Sequence, residues 1–215
     1  AYNIDSCDDA IHSNGNVTVS GGTFSIKTGD DGIHADENVS ITAGEIVISK
    51  SYEGVEGETI DISGGVISIV ASDDGMNAAG GNDGSGFLGR PDTFGGSSDC
   101  YINISGGMLT INASGDGIDS NGSLAVSGGE VYICGSTSNG DGALDYDGNA
   151  IITGGIVVAV GSSGMAQNFG TNSTQGSILL NYQSLSTSEV VLKESSGNVI
   201  LSFTPEKSYN SVIIS

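Results

Sequence analysis

The chain has no tryptophan, two prolines, three cysteines and only five basic residues against 26 acidic ones in 215. Each shortage removes a class of protein. With two prolines and no glycine at every third position, a collagen triple helix is excluded in spite of 36 glycines, about 17% where ordinary usage is roughly 7%. Cys7, Cys100 and Cys134 are an odd number and supply no disulfide framework. A formal charge of −21 repels DNA, RNA and anionic membrane surfaces, so nucleic acid is not an expected partner. No apolar run approaches the roughly 18 residues that span a bilayer and no signal-peptide pattern opens the chain, so direct membrane insertion is not expected of it. Disorder is excluded as well, because 37% of the residues are hydrophobic and they alternate with polar ones.

What is present is a repeat. A short acidic block ends in an apolar residue at Ile11, Ile33, Val55, Met76, Ile118 and Leu144, with steps of 22, 22, 21, 42 and 26. The long step holds one ordinary turn plus an insertion, residues 81–99. A second ruler agrees: Gly21-Gly22, Ala43-Gly44, Gly64-Gly65, Gly106-Gly107, Gly128-Gly129 and Gly154-Gly155. On either side of each pair, apolar residues alternate with polar ones, as in Val39/Ile41 and Ile46/Ile48. Period 2 means strands with one buried face. Three strands in about 22 residues leave no room for a crossover helix, so the chain must coil and stack each repeat on the last at roughly 4.8 Å.

The expectation is therefore an all-β protein, a single-stranded parallel β-helix of about six rungs. Its domain organisation reads as a coil over residues 1–164 and a β cap of the same domain over 165–215, where the period stops but strand patterns continue. Residues 1–6 resemble the last strand of a rung, which suggests a chain that begins mid-coil. The glycine pairs become corners, where positive φ favours glycine.

Stacking turns the acidic blocks into columns. Two positions before the apolar anchor stand Asp9, Asp31, Glu53, Asp74 and Asp116; three before it, Asp8, Asp30, Tyr52, Asp73, Gly115 and Asp141. One after it stand His12, His34, Glu56, Asn77, Asp119 and Asp145, and Asp36 lies three after. Carboxylates about 4.8 Å apart either take up protons or bind cations. Hard divalent ions with oxygen ligands fit, Ca²⁺ better than Mg²⁺ because it accepts irregular coordination. The expected metal ligands are Asp8, Asp9, Asp30, Asp31, Asp36, Glu53, Glu56, Asp73, Asp74, Asp116 and Asp119. The plainer reading is that Asp-Gly and Asp-Asp-Gly form turns and cap local amides. His12 and His34 fall in register, but without a Cys or third His beside them they read as polar edge residues or carbohydrate contacts rather than zinc ligands.

Asp-Asp-Gly-Ile-His-Ala (30–35), Ile-Ser-Gly-Gly, Gly-Asp-Gly-Ile-Asp-Ser-Asn-Gly (115–122) and Thr-Pro-Glu-Lys-Ser-Tyr (204–209) resemble a bacterial, clostridial family of carbohydrate-binding-domain surface proteins, related in fold to pectate lyases. The resemblance spans nearly the whole chain. It implies a right-handed β-helix, Ca²⁺ in the turns, a secreted or cell-surface location, and binding of plant polysaccharide such as pectic polygalacturonate or cellulose. A monomer is expected.

On that footing the chain is a binder with no catalytic residue. The alternative is a Ca²⁺-dependent pectate lyase, whose base would be Lys27 or Lys50. Those lysines, Tyr52 and Arg90 are the sugar-contact candidates. Neutral glucans would need stacking aromatics, for which Tyr52, Tyr101, Tyr132, Tyr146, Phe87 and Phe94 are available.

Overall fold

The computed structural model describes residues 1–79 and 99–215, and no helix occurs among them. The insertion 81–99, with Phe87, Arg90 and Phe94, lies outside the described residues except for Asp99. Three parallel sheets run the length of a coil. In the first, Ile33, Val55, Met76, Ile118 and Leu144 are successive register partners. The second aligns Val17, Val39, Ile60, Ile102, Leu124 and Ala150. Its Ile60–Ile102 step spans 42 residues, so the insertion leaves the ladder undisturbed. The third aligns Tyr2, Phe24, Ile46, Ile67, Leu109, Val131 and Val157. The expected parallel β-solenoid of about six 22-residue turns is what the chain forms.

The inward residues of all three sheets meet in one core, in which Ile26, Ile33, Ile41, Ile48, Ile60, Ile102 and Ile133 are fully buried. At the corner between the second and third sheets, Gly44, Gly65, Gly107, Gly129 and Gly155 have φ between +86° and +121°. They also stack: a Cβ on Gly107 would lie 2.9 Å from the carbonyl of Gly65. Both φ and space require glycine there.

Beyond the sixth rung the chain turns back on the coil. Phe169 is buried against the core, and the N–H of Gly170 donates to the carbonyl of Ala150. Tyr209–Ile214 pairs antiparallel with Ile156–Gly161, and Ile178–Ser186 adds outside it. The hairpin of Val190–Lys193 and Val199–Phe203 lies on the outer face of the third sheet, where Phe203 stacks on Tyr132 at 5.5 Å. Cys134, Val158, Val160, Val190, Tyr209 and Val212 form a second apolar cluster beneath it. No disulfide joins the cysteines among the described residues.

Candidate cation sites along the acidic edge

The acidic blocks occupy the corner between the third and first sheets, and part of each carboxylate serves the backbone. The N–H of Asp31 donates to Asp9 Oδ1 at 3.1 Å, and the N–H of Glu53 to Asp31 Oδ1 at 3.1 Å. Further along, Asp116 N–H donates to Asp74 Oδ1 at 2.6 Å and Gly142 N–H to Asp116 Oδ1 at 2.5 Å. Each carboxylate thus caps the next rung. Glu53 departs from the pattern: its Oε1 accepts from Asn77 Nδ2 at 3.0 Å, and its Oε2 is buried without a hydrogen-bond partner among the described residues.

Three groups of ligand atoms converge within 4.8 Å: Asp8, Asp9 and Asp30; Asp31, His34 and Glu56; and Asp74, Asp116 and Asp119. The first and third contain only carboxylates, and the third is the more deeply buried. Burial, then the charges of Asp116, Asp119 and Asp73, pushes Asp74 up to about 9. Burial raises Asp116 to about 8 against the opposing bond from Gly142, with Asp119 and Asp145 adding to the rise. Glu53 is also driven well above the ordinary range, by burial and then by Glu56, Asp31 and Asp74. Asn77 pairs in register with Asp119, and its Oδ1 is buried and unpartnered among the described residues. Gly115 sits against Asp73 Oδ1 and Asp74 Oδ1, leaving open a space that a side chain would fill. Buried oxygens without donors, beside carboxylates that resist ionisation, fit a hard cation.

The second group has an internal cation. His34, 1% exposed, places Nδ1 2.6 Å from Glu56 Oε2 and 3.4 Å from Asp31 Oδ2, and Nε2 3.2 Å from Asp36 Oδ1. Both nitrogens face acceptors, the pattern of an imidazolium. Burial works against that charge, but the bonds to Asp31 and Glu56 outweigh it and carry His34 to about 11. Asp31 is raised by burial, with the His34 bond opposing. Asp36, half-buried, is held low by the Asn14 and His34 bonds. His12 stacks on His34 at 4.8 Å, almost parallel, and its Nδ1 lies 2.7 Å from Asp9 Oδ2.

Of the expected ligands, Asp36 and Asp73 enter none of the three groups, and Glu53 stands between Asp31 and Asp74 without joining either's group. Lys27 and Lys50 are register partners on the outer face of the third sheet, with Lys27 Nζ 3.6 Å from Asp5. Tyr52 is half-buried at the edge, and Arg90 lies outside the described residues. Asn77 and the counter-ion role of His34 were not expected. The signal for Asn77 was its place in the His34–Glu56–Asp119 column.

The family model described as carbohydrate-binding domain-containing protein matches residues 1–32 and 30–200, nearly the full chain. Neither a curated protein nor a solved structure matches it.

Proposed function

The chain belongs to the carbohydrate-binding domain-containing family, and from that premise we propose that it is a non-catalytic, extracellular binder of plant cell-wall polysaccharide that works with Ca²⁺. The observation that carries the metal is the meeting of Asp74, Asp116 and Asp119 within 4.8 Å, with Asn77, whose Oδ1 is buried and unpartnered among the described residues, in register with Asp119. A divalent ion there would meet oxygen ligands only and relieve their mutual repulsion.

Acidic pectic sugars suit the site better than cellulose. A neutral glucan needs free aromatic faces, and three of the four described candidates are tied down. Tyr101 OH donates to Asp61 at 3.1 Å, Tyr132 stacks on Phe203, and Tyr146 OH donates to the Asn168 carbonyl. A polyuronate would be repelled by a −21 chain unless a cation bridges the carboxylates of protein and sugar. Titrating polygalacturonate with Ca²⁺ and with EGTA tests the bridge, and equal affinity in both would sink it. The lyase alternative has no comparable support. Lys27, its candidate base, is paired with the exposed Asp5 rather than with the clustered carboxylates, and absence of unsaturated product in an absorbance assay is expected.

A further inference from the structure

The third sheet has an outer face that the fold leaves half covered. From the fifth rung onward it lies under the C-terminal hairpin, where Val158 and Val160 are buried and Tyr132 meets Phe203. Over the first four rungs it is open, save at Asn112 and Ala113 of the fourth, which bond Glu206 and Lys207 of the segment after the hairpin. There the outward side chains include Val47, Val66, Val70 and Met108, which are 39%, 53%, 43% and 43% exposed. Val66 and Met108 are direct register partners, and Glu45 precedes Val66 in the same column. These apolar groups lie beside the buried cluster under the hairpin, so the hairpin stands as a wall at one end of an apolar shelf.

The shelf is polarised across its width. Along the margin nearest the glycine corner stand Glu45 and, one rung beyond Met108, Glu130. Along the opposite margin stand Lys27 and Lys50, brought into register by a bulge at Ser49. These are two of only five basic residues in the chain. Among the described residues Lys50 forms no ion pair, and Lys27 has only the exposed contact with Asp5. Just past the lysines the chain turns into the acidic edge at Asp30-Asp31 and Tyr52-Glu53.

The geometry points to this shelf as the glycan-binding surface, with chains that bear carboxylates as its ligand. It rests on the reading above, an acidic glycan as the ligand, and adds the face that holds it. Sugar rings present apolar C–H faces to Val66 and Met108, which share a column with Glu45 and Glu130, and their carboxylates point across the strands toward Lys27 and Lys50 at the opposite margin. The open strands span about 14 Å, three inter-strand steps, before the hairpin wall. Positive charge at one margin of a strongly acidic molecule selects the orientation of an anionic chain more than it adds affinity.

The test is isothermal titration of the full chain at fixed Ca²⁺ with polygalacturonate and with a soluble neutral cellulose derivative. Lys27→Gln with Lys50→Gln is expected to weaken polygalacturonate binding about tenfold and flatten its salt dependence. Val66→Ser with Met108→Ser is expected to weaken it without changing that dependence. Lys193→Gln, an exposed lysine of the hairpin, controls for the loss of charge and leaves binding unchanged. Wild-type binding that survives the Lys27/Lys50 pair within twofold overturns this face and leaves the carbohydrate reading standing. Failure of the wild type to bind either glycan overturns both. Unaltered thermal unfolding of the variants shows that they fold.

Discussion

The backbone N–H of Asp116 donates to Oδ1 of Asp74 at 2.6 Å, although the two residues are 42 positions apart in the chain. One carboxylate oxygen therefore holds two rungs together, while the rest of the group faces Asp116 and Asp119 as a like charge. The same side chain stabilises the coil through its hydrogen bond and strains it through its charge. A bound cation would resolve that conflict by removing the repulsion and leaving the bond.

Stability of the metal-free protein should fall as pH rises. Asp74 is pushed up to about 9 and Asp116 to about 8, from an ordinary 3.8. The folded state retains protons that the unfolded chain releases, so the relative loss begins above the unfolded value near 4 and continues through the folded values. Each such group costs up to about 1.4 kcal/mol per pH unit within that window. Thermal unfolding in EDTA is expected to give a lower Tm at pH 8 than at pH 5, with Ca²⁺ reducing the difference. A Tm that rises over that range in EDTA contradicts the assignment.

Asp74→Asn separates the two roles of the side chain. The amide oxygen still accepts from Asp116, but the charge is gone. Without metal at pH 8 the variant should be more stable than the wild type, on the order of 1–2 kcal/mol, since one pKa unit corresponds to about 1.4 kcal/mol. It should also lose most of the rise in Tm that Ca²⁺ gives the wild type. Differential scanning calorimetry with and without Ca²⁺ reads both, and an unchanged Ca²⁺ response would remove Asp74 from the ligands.

His34→Ala should be costly in a way that His12→Ala is not. Removing the buried ring leaves Asp31 and Glu56 without their counter-charge, a loss of about 3–5 kcal/mol. His12 is 42% exposed at its side chain, and its one ion pair among the described residues is with Asp9, so its loss should be below about 1 kcal/mol. The pH sign follows from the raised folded value of His34. Its contribution is complete below about 6.5 and is lost as pH rises through about 11. Urea unfolding at pH 6 and pH 10 is expected to show the gap between wild type and His34→Ala narrowing at the higher pH.

The fold was legible because a coil repeats its own register. Ile60 and Ile102 could be paired from the glycine ruler alone, and they are partners. The acidic columns were legible for the same reason, since equal offset from the anchor means adjacency in space. What each oxygen does was not. The amide ladder uses backbone N–H groups that every residue has, so no residue type announces it. Glu53 leaves that ladder for Asn77, and His34 faces three carboxylates at once. Those choices depend on side-chain rotamers within one corner. The hairpin's seat on the third sheet was equally hidden, because residues 165–215 share no period with the coil they cover.

The last prediction concerns a glycine whose backbone is ordinary. Gly32, Gly54, Gly75 and Gly117 precede the apolar anchor in successive rungs, and none has positive φ. They are glycine for lack of space. A Cβ on Gly54 would press on Ile69 Cγ2 and on the carbonyl of Gly75, and Gly117 is blocked in the same way by Ile133 and Ala143. In the sixth rung the position is Ala143, and there the residue in register with Ile133 is Ala159. The smaller partner makes room for the methyl. Gly54→Ala should therefore destabilise the coil by about 1–3 kcal/mol, as overpacked cores do, although Ala is otherwise the less entropically costly residue to order. Adding Ile69→Ala relieves one contact but not the Gly75 carbonyl. The double variant should thus lose less than the sum of the two single losses while staying below wild type. Chemical denaturation of the four proteins measures the coupling, and strict additivity would show that the two positions do not compete for the same space.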